Sequence, residues 1–136
     1  LERLQRLPRQ EFDVAVTSLG VNDAIAMVSV RNWRSRQARL RELLRDKFGA
    51  ASLMISGLPP MHRFPALPQP LRWHLGLRAT QLNRILARDV AAEPDSHFID
   101  LRFSGDIATM SSDGFHPGPE IYAEWARRVA RAIRDR

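Results

Sequence analysis

The order of apolar and polar segments along the 136-residue chain predicts strands that alternate with helices. Phe12 to Leu19 is a continuous apolar run rich in β-branched residues, which is typical of a strand buried on both faces of a parallel sheet. The same criterion predicts further strands at Ala50 to Gly57 and at His97 to Leu101. These runs are too short to span a bilayer, and the protein is not expected to cross a membrane.

Apolar residues at helical spacing predict amphipathic helices from Trp33 to Phe48 and from Leu71 to Val90, the first followed by a C-cap glycine, Gly49. Leu1, Leu4 and Leu7 mark a short helical stub at the start of the chain. A closing helix begins at Pro117 and Pro119 and has apolar residues at Ile121, Trp125, Val129 and Ile133. Alternating strands and helices favour βαβ units, and hence a three-layer α/β domain with a parallel sheet.

Length and composition favour one domain over residues 1–136, with 44% hydrophobic residues to form a core. The absence of cysteine excludes disulfides and thiolate metal sites, and it fits a reducing or an oxidising compartment. The first ten residues do not resemble a secretory signal, but the chain begins with Leu1 rather than Met. Localisation is therefore open between cytoplasmic and periplasmic or secreted.

The net charge of +6 raises the question of nucleic acid, because arginine dominates the basic residues. The arginines are spread over several predicted helices and mostly lie between apolar positions. Solvated helix faces are favoured over a phosphate-binding stripe, so no nucleic-acid partner is expected.

The first motif with chemical potential is Gly20-Val21-Asn22-Asp23, directly after the first predicted strand. In an open α/β sheet, ligands bind at the carboxyl ends of the strands. The Asn22 amide has two N–H donors that suit a developing oxyanion. An ordinary turn or helix N-cap is the alternative interpretation.

The second motif is Asp113-Gly114-Phe115-His116-Pro117, before the closing helix. A carboxylate three residues ahead of an imidazole can accept a hydrogen bond from Nδ1–H, which leaves Nε2 to take a proton from a nucleophile. The alternative is an Asp-Gly turn followed by a histidine near a proline-started helix.

In combination and in this order, GVND and DGFHP resemble the two C-terminal motifs of the SGNH hydrolases, the GDSL esterases and lipases. The resemblance covers essentially the whole chain and implies a three-layer α/β/α, flavodoxin-like parallel sheet. It implies that Asn22 is an oxyanion-hole donor, His116 the general acid/base and Asp113 the residue that orients it. Asp23 would hold the loop by hydrogen bonds, and Gly20 would shape the turn. No metal or organic cofactor is implied.

The family's nucleophile is a serine in a Gly-Asp-Ser motif after its first strand, and the printed sequence contains no such motif. The resemblance therefore implies that the chain is the C-terminal two thirds of a domain, with about 60 residues of two βαβ-type steps upstream of Leu1. In the family's strand order 2-1-3-4-5, that loss bares one edge of Phe12 to Leu19. A second chain or the missing N-terminal segment is expected to cover this edge.

Serines within the chain are poor substitutes for the missing nucleophile. Ser111 and Ser112 share one short loop with Asp113 and His116, so they would have to fold back to reach Nε2. Ser18 is expected to point into the packing of the first strand. All are predicted to be hydroxyls satisfied by the backbone.

A proline-rich connection at residues 59–73 carries three large apolar side chains, Met61, Phe64 and Trp73. They are candidates for the wall of an acyl or alcohol pocket, with a structural cover as the equal alternative. His62 and His74 lack metal-ligand partners at a useful spacing and are predicted to be surface or packing residues.

The leading functional hypothesis is a serine hydrolase that acts on small-molecule carboxylic esters in the intact protein, the fragment alone being inactive. A carbohydrate O-deacetylase is a narrower version of the same chemistry. A catalytically silent SGNH-like binding domain and a nucleic-acid module are the alternatives from other classes.

Overall fold

The computed structural model describes residues 1–102 and 110–135. Its elements are, in order, α1 (Glu2–Arg6), β1 (Val14–Ser18), α2 (Val21–Ile25), α3 (Val30–Asp46), β2 (Ser52–Ser56), a 3-10 turn (Met61–Arg63), α4 (Leu71–Ala91), β3 (Ser96–Ile99) and α5 (Pro119–Arg134). The predicted alternation of strands and helices is confirmed. The short helix α2 was not predicted, because five residues are too few to show a helical period.

The sheet is parallel throughout the described residues, with the strand order β1-β2-β3. The register places Ser18 opposite Ser56, and Ser56 opposite Ile99. All three strands therefore end at the same edge of the sheet, so the connections that follow them converge there. β2 is the central strand, and each of its residues is buried.

Alternate side chains of β2 enter two separate apolar clusters, as the pleat of a strand requires. Leu53 and Ile55 pack with residues of α3 and α4 in the larger cluster. Met54 packs with the inner side of α5 on the opposite face. The Trp125 indole on α5 also donates a hydrogen bond to the buried Ser56 hydroxyl at 2.9 Å. Helices on both faces give the predicted three-layer α/β arrangement.

The first strand is less buried than its sequence predicted. Within residues 1–102 and 110–135, β1 pairs with β2 alone, and its other edge has no strand beside it. Val16 on β1 is 43% exposed, and the flanking Phe12 and Leu19 are also exposed. The prediction of a strand buried on both faces is therefore wrong, because burial of an apolar strand requires neighbours that these residues do not supply.

The arginines of α3 also depart in part from the predicted solvated face. Arg34 pairs with Asp89 at 2.7 Å and is exposed. Arg41, by contrast, is only 3% exposed and makes two-pronged hydrogen bonds of 2.8–2.9 Å to Glu93. A guanidinium tolerates burial when a carboxylate pairs with it in this way. These contacts tie α3 to the C-terminal part of α4 and to the turn that follows it.

Candidate active site

The first motif forms a tight turn from β1 into α2. Gly20 is the N-cap of α2 and has φ +127°, a conformation that side-chain-bearing residues rarely adopt. A Cβ at this position would also lie 3.2 Å from Leu58 Cδ1. Asn22 follows in the first turn of α2, with an exposed side chain that makes no hydrogen bond to the described part of the chain. Both of its N–H donors are thus available to a ligand.

Asp23 makes the contacts expected of a residue that holds the loop. Its carboxylate accepts a hydrogen bond of 2.7 Å from Arg36 of α3, and its carbonyl accepts one of 3.1 Å from Val28 N–H. The β1–α2 turn is thereby linked to α3 and to the turn that follows α2. The structural role of Asp23 stays a prediction that these contacts favour.

The second motif folds back on itself as its spacing predicted. His116 Nδ1 lies 2.5 Å from Asp113 Oδ2, so Nδ1–H donates to the carboxylate. Asp113 Oδ1 accepts from the backbone N–H groups of Phe115 and His116, each at 2.9 Å. The imidazole is 65% exposed, and its Nε2 has no partner among the residues described. This arrangement holds Nδ1 by a hydrogen bond and leaves Nε2 accessible to a substrate or a nucleophile.

The hydrogen bonds to Asp113 hold the pKa of its carboxyl well below the usual range, with the His116 side chain as the largest cause and the backbone N–H groups of His116 and Phe115 next. A depressed folded-state pKa stabilises the loop above the unfolded value of about 3.9. The stabilisation is lost as the pH falls from there through the folded pKa. The pair is thus intact throughout the neutral range.

We expect the pKa of Asp113 to rise toward its ordinary value in a His116→Ala variant, because the largest cause of its depression is removed. An NMR titration of the Asp113 carboxyl carbon measures this shift directly. Asp135, at the C-cap of α5, serves as the control carboxyl in both proteins. An unchanged Asp113 titration would contradict the assigned hydrogen bond.

The connection at residues 57–70 contacts both motifs. At its start, Leu58 packs against Gly20. Further along, the Phe64 ring meets the Phe115 ring edge to face at 5.4 Å, and Ala66 N–H donates to the Gly114 carbonyl at 3.1 Å. The two motifs are therefore placed by one shared segment, which pairwise sequence spacing does not reveal.

This packing favours the cover interpretation over the pocket wall for two of the three candidates. Met61 and Phe64 are 0% and 3% exposed and belong to the larger core cluster. Side chains with so little exposed surface support the loops and do not line an open pocket. Trp73, in the first turn of α4, is 60% exposed.

Comparison with known proteins identifies the family. The family model described as GDSL-like Lipase/Acylhydrolase matches residues 1–132. The chain belongs to this family. No curated protein shows a significant match to the sequence.

Two solved structures share the fold of this family member. A lipase, Lip_vut3, from a goat rumen metagenome is 17% identical with a TM-score of 0.62, over 96% of this chain and 66% of that one. An acetylxylan esterase from Geobacillus stearothermophilus, crystallised as a catalytic mutant, is 19% identical with a TM-score of 0.56, over 89% and 59%. The chain thus spans less than two thirds of the length of either.

The three serines considered as substitutes, Ser18, Ser111 and Ser112, are not placed by the described residues to donate a proton to His116 Nε2. The Ser111 hydroxyl lies 2.7 Å from the His116 carbonyl and 3.1 Å from Asp113 Oδ1, and is therefore occupied within the loop. Ser112 is exposed on the same turn. Ser18 is exposed at the end of β1, so the expectation that it points into packing is wrong. Within the described residues, β1 has a strand on one side only, which leaves its other edge open.

A cavity of about 630 Å³ lies beside the GVND turn. It is bounded by α1, the β1–α2 turn, α3 and the start of the 57–70 connection, with Leu4, Ser18, Asn22, Gln37 and Pro59 among its lining residues. The cavity reaches the free end of β1, where Ser18 is exposed. Asn22 therefore borders a space that these residues leave open.

Other site chemistry is not evident in the described ranges 1–102 and 110–135. They hold no group of three or more His, Asp or Glu side chains arranged for a metal ion. His62 and His74 are both exposed, as predicted. In the same ranges, no helix has the length and apolar character that a membrane span requires.

One residue that the motifs did not indicate also touches the site framework. Asn83, in the interior of α4, makes both of its hydrogen bonds to Leu58. The sequence offers only a weak indication of this contact. Asparagine is disfavoured inside helices, so its presence between Leu82 and the apolar Ile85 and Leu86 indicates a specific polar contact.

Proposed function

We propose that the intact protein is a serine hydrolase that cleaves carboxylic esters. The observation that carries the proposal is the Asp113–His116 pair, in which Nδ1 lies 2.5 Å from Asp113 Oδ2 and Nε2 has no partner among the described residues. Nε2 takes the proton of a serine hydroxyl as its oxygen attacks the ester carbonyl. The resulting imidazolium then gives that proton to the leaving alkoxide, and a water molecule repeats the sequence to release the acid.

Asn22 is the proposed donor to the oxyanion of the tetrahedral intermediate. Its side chain is exposed, makes no hydrogen bond within the described part of the protein, and borders the cavity at the carboxyl end of β1. An amide donor at this point stabilises negative charge that develops only in the transition state, so it acts on kcat. Asp113 stays ionised throughout and orients the imidazole.

The nucleophilic serine is proposed to come from residues that precede Leu1 in the intact protein. Three features support this: the absence of Gly-Asp-Ser from the sequence, the occupied Ser111 hydroxyl, and the share of the two similar structures that the chain spans. The same residues are proposed to cover the edge of β1 that has no strand beside it among the described residues, where Val16 is exposed. A parallel strand at this edge would pair the unpaired backbone groups of β1.

The substrate is proposed to be an ester of a small or medium acyl group. A carbohydrate O-deacetylase is the narrower candidate, and one of the two similar structures is an acetylxylan esterase. Turnover of acetylated sugars relative to p-nitrophenyl and lipid esters separates the two. A silent binding domain predicts turnover of none of them.

The intact protein, treated with an alkyl fluorophosphonate, tests the location of the nucleophile. An activated serine displaces fluoride from phosphorus, and mass spectrometry of the digest finds the modified residue. We expect the label N-terminal to Leu1 and absent from Ser18, Ser111 and Ser112. In the same protein, hydrogen exchange should show protected amides on both edges of β1. A label on Ser111, or no label with no turnover, contradicts the proposal.

A further inference from the structure

Asn83 on α4 does not belong to the residues proposed to contact the substrate, but it influences their position. Asn83 makes a matched pair of hydrogen bonds with Leu58, the second residue after β2: Leu58 N–H donates to Oδ1 at 2.7 Å, and Nδ2–H donates to the Leu58 carbonyl at 2.9 Å. The two bonds use the acceptor and a donor of the side-chain amide and engage the two peptide groups that flank the Leu58 Cα. Asn83 therefore sets the place of the Leu58 backbone.

The approach of Asn83 is close enough to demand glycine at the preceding position. A Cβ built on Gly57 would lie 2.7 Å from Asn83 Oδ1 and 2.7 Å from Phe98 Cζ, which real Cβ atoms do not tolerate. Gly57 N–H also donates to the Ile99 carbonyl at 2.9 Å. The exit of β2 is thus held between α4 and β3, with little room to shift.

Leu58 in turn supports the turn that carries Asn22. Its side chain is 1% exposed, and its Cγ and Cδ1 lie 3.3 and 3.2 Å from where a Cβ of Gly20 would be. The neighbouring Trp33 Nε1, 3.5 Å from the same point, is buried and has no hydrogen-bond partner among the described atoms. Leu58 and Trp33 therefore support Gly20 by apolar contact, in addition to the hydrogen bond that links Asp23 to Arg36.

The same helix also holds the far end of α2. Arg78 of α4 donates from Nε to the Ala24 carbonyl at 3.2 Å, and from its second amino group to the Val28 carbonyl. α4 thus contacts α2 at its C-terminal end through Arg78 and, through Asn83 and Leu58, supports the turn at its N-terminal end. Because the Leu58 side chain is in close contact with Gly20, a displacement of Leu58 would alter the support of the Gly20–Asn22 turn.

We propose that Asn83 is a positioning residue for the oxyanion donor Asn22, acting through Leu58 and Gly20. The inference rests on the proposed esterase function and deepens it. Asn83 touches no substrate; it fixes the distance between the Asn22 amide and the developing oxyanion. A misplacement of about 1 Å at such a donor costs on the order of 100-fold in rate, so the effect on kcat should exceed the effect on stability.

The test is the Asn83→Asp variant of the intact protein, which keeps the acceptor for Leu58 N–H but removes the donor to the Leu58 carbonyl. We expect kcat for a p-nitrophenyl ester to fall about 10- to 100-fold, with KM within about twofold of wild type because ground-state binding is not changed. Gln81→Glu is the matched control: it adds the same charge at an exposed site on α4 that makes no contact with Leu58.

A purely structural role is distinguished by Val90→Ala, which removes buried packing from the C-terminal end of the same helix. Val90→Ala should lower the Tm and leave kcat at wild-type level at temperatures where the protein stays folded. Two results would overturn the inference. One is an equal fall in kcat for Val90→Ala and Asn83→Asp at matched stability. The other is a wild-type kcat for Asn83→Asp although its Leu58 amide exchanges faster. A wild-type-like His116→Ala enzyme would instead overturn the proposed function, which separates the two failures.

Discussion

Replacement of His116 by alanine in the intact protein is expected to lower kcat for a p-nitrophenyl ester at least about 1000-fold. The variant lacks the only proposed acceptor for the serine proton, and no other described residue stands in its place. The fold should be retained, because the imidazole is 65% exposed and contributes little buried surface. Steady-state kinetics and a thermal unfolding curve provide the two measurements.

His74→Ala is the matched control for this loss, since His74 is an exposed histidine on α4. It should retain wild-type kcat and KM. Turnover by His116→Ala at the wild-type rate would remove His116 from the mechanism and, with it, the assignment of Asp113. Loss of activity accompanied by a collapse of the unfolding transition would indicate a structural rather than a chemical role for His116.

Replacement of Asn22 by alanine is expected to lower kcat about 10- to 1000-fold with little change in KM, because the amide is proposed to bind charge that exists only in the transition state. The stability should hardly change, since the side chain is exposed and makes no hydrogen bond to the residues the structure describes. Kinetics over a range of ester concentrations separate the two parameters.

Asn32→Ala supplies the corresponding control, because the Asn32 side chain is exposed on α3 and only its backbone N–H is used, by the Ser29 N-cap. It should behave as wild type. An Asn22→Ala variant that raises KM and leaves kcat intact would assign Asn22 to ground-state binding rather than to an oxyanion hole.

Much of the site was predictable because its chemistry is local. The Asp113–His116 pair depends on residues three apart on one turn, so the spacing in the sequence indicated a possible contact, which the structure has at 2.5 Å. The Gly20 conformation follows from its place between a strand and a helix. For the same reason the strands and long helices were predicted, with shifts of a few residues at their ends.

Contacts between distant residues were not predictable from periodicity. The sequence made Met61 and Phe64 candidates for a substrate-pocket wall, because an apolar residue in a proline-rich loop can line a pocket or pack in the core. Their burial is decided by α4 and by the Phe115 ring, which lies 51 residues beyond Phe64 in the chain. Asn83 and Leu58, 25 residues apart, show the same limitation.

The sequence by itself determined the alternation of strands and helices, the two motifs and the family, because each depends on residue types at short, fixed spacing. Only the tertiary structure decided how the motifs are held: the 57–70 connection packs against both, and α4 fixes its start through Asn83. It also decided that, within residues 1–102 and 110–135, one edge of β1 has no strand beside it and the end of β1 borders a cavity. The reason is physical: burial and pairing are properties of neighbours in space, and a strand's own residues do not specify which neighbours are present.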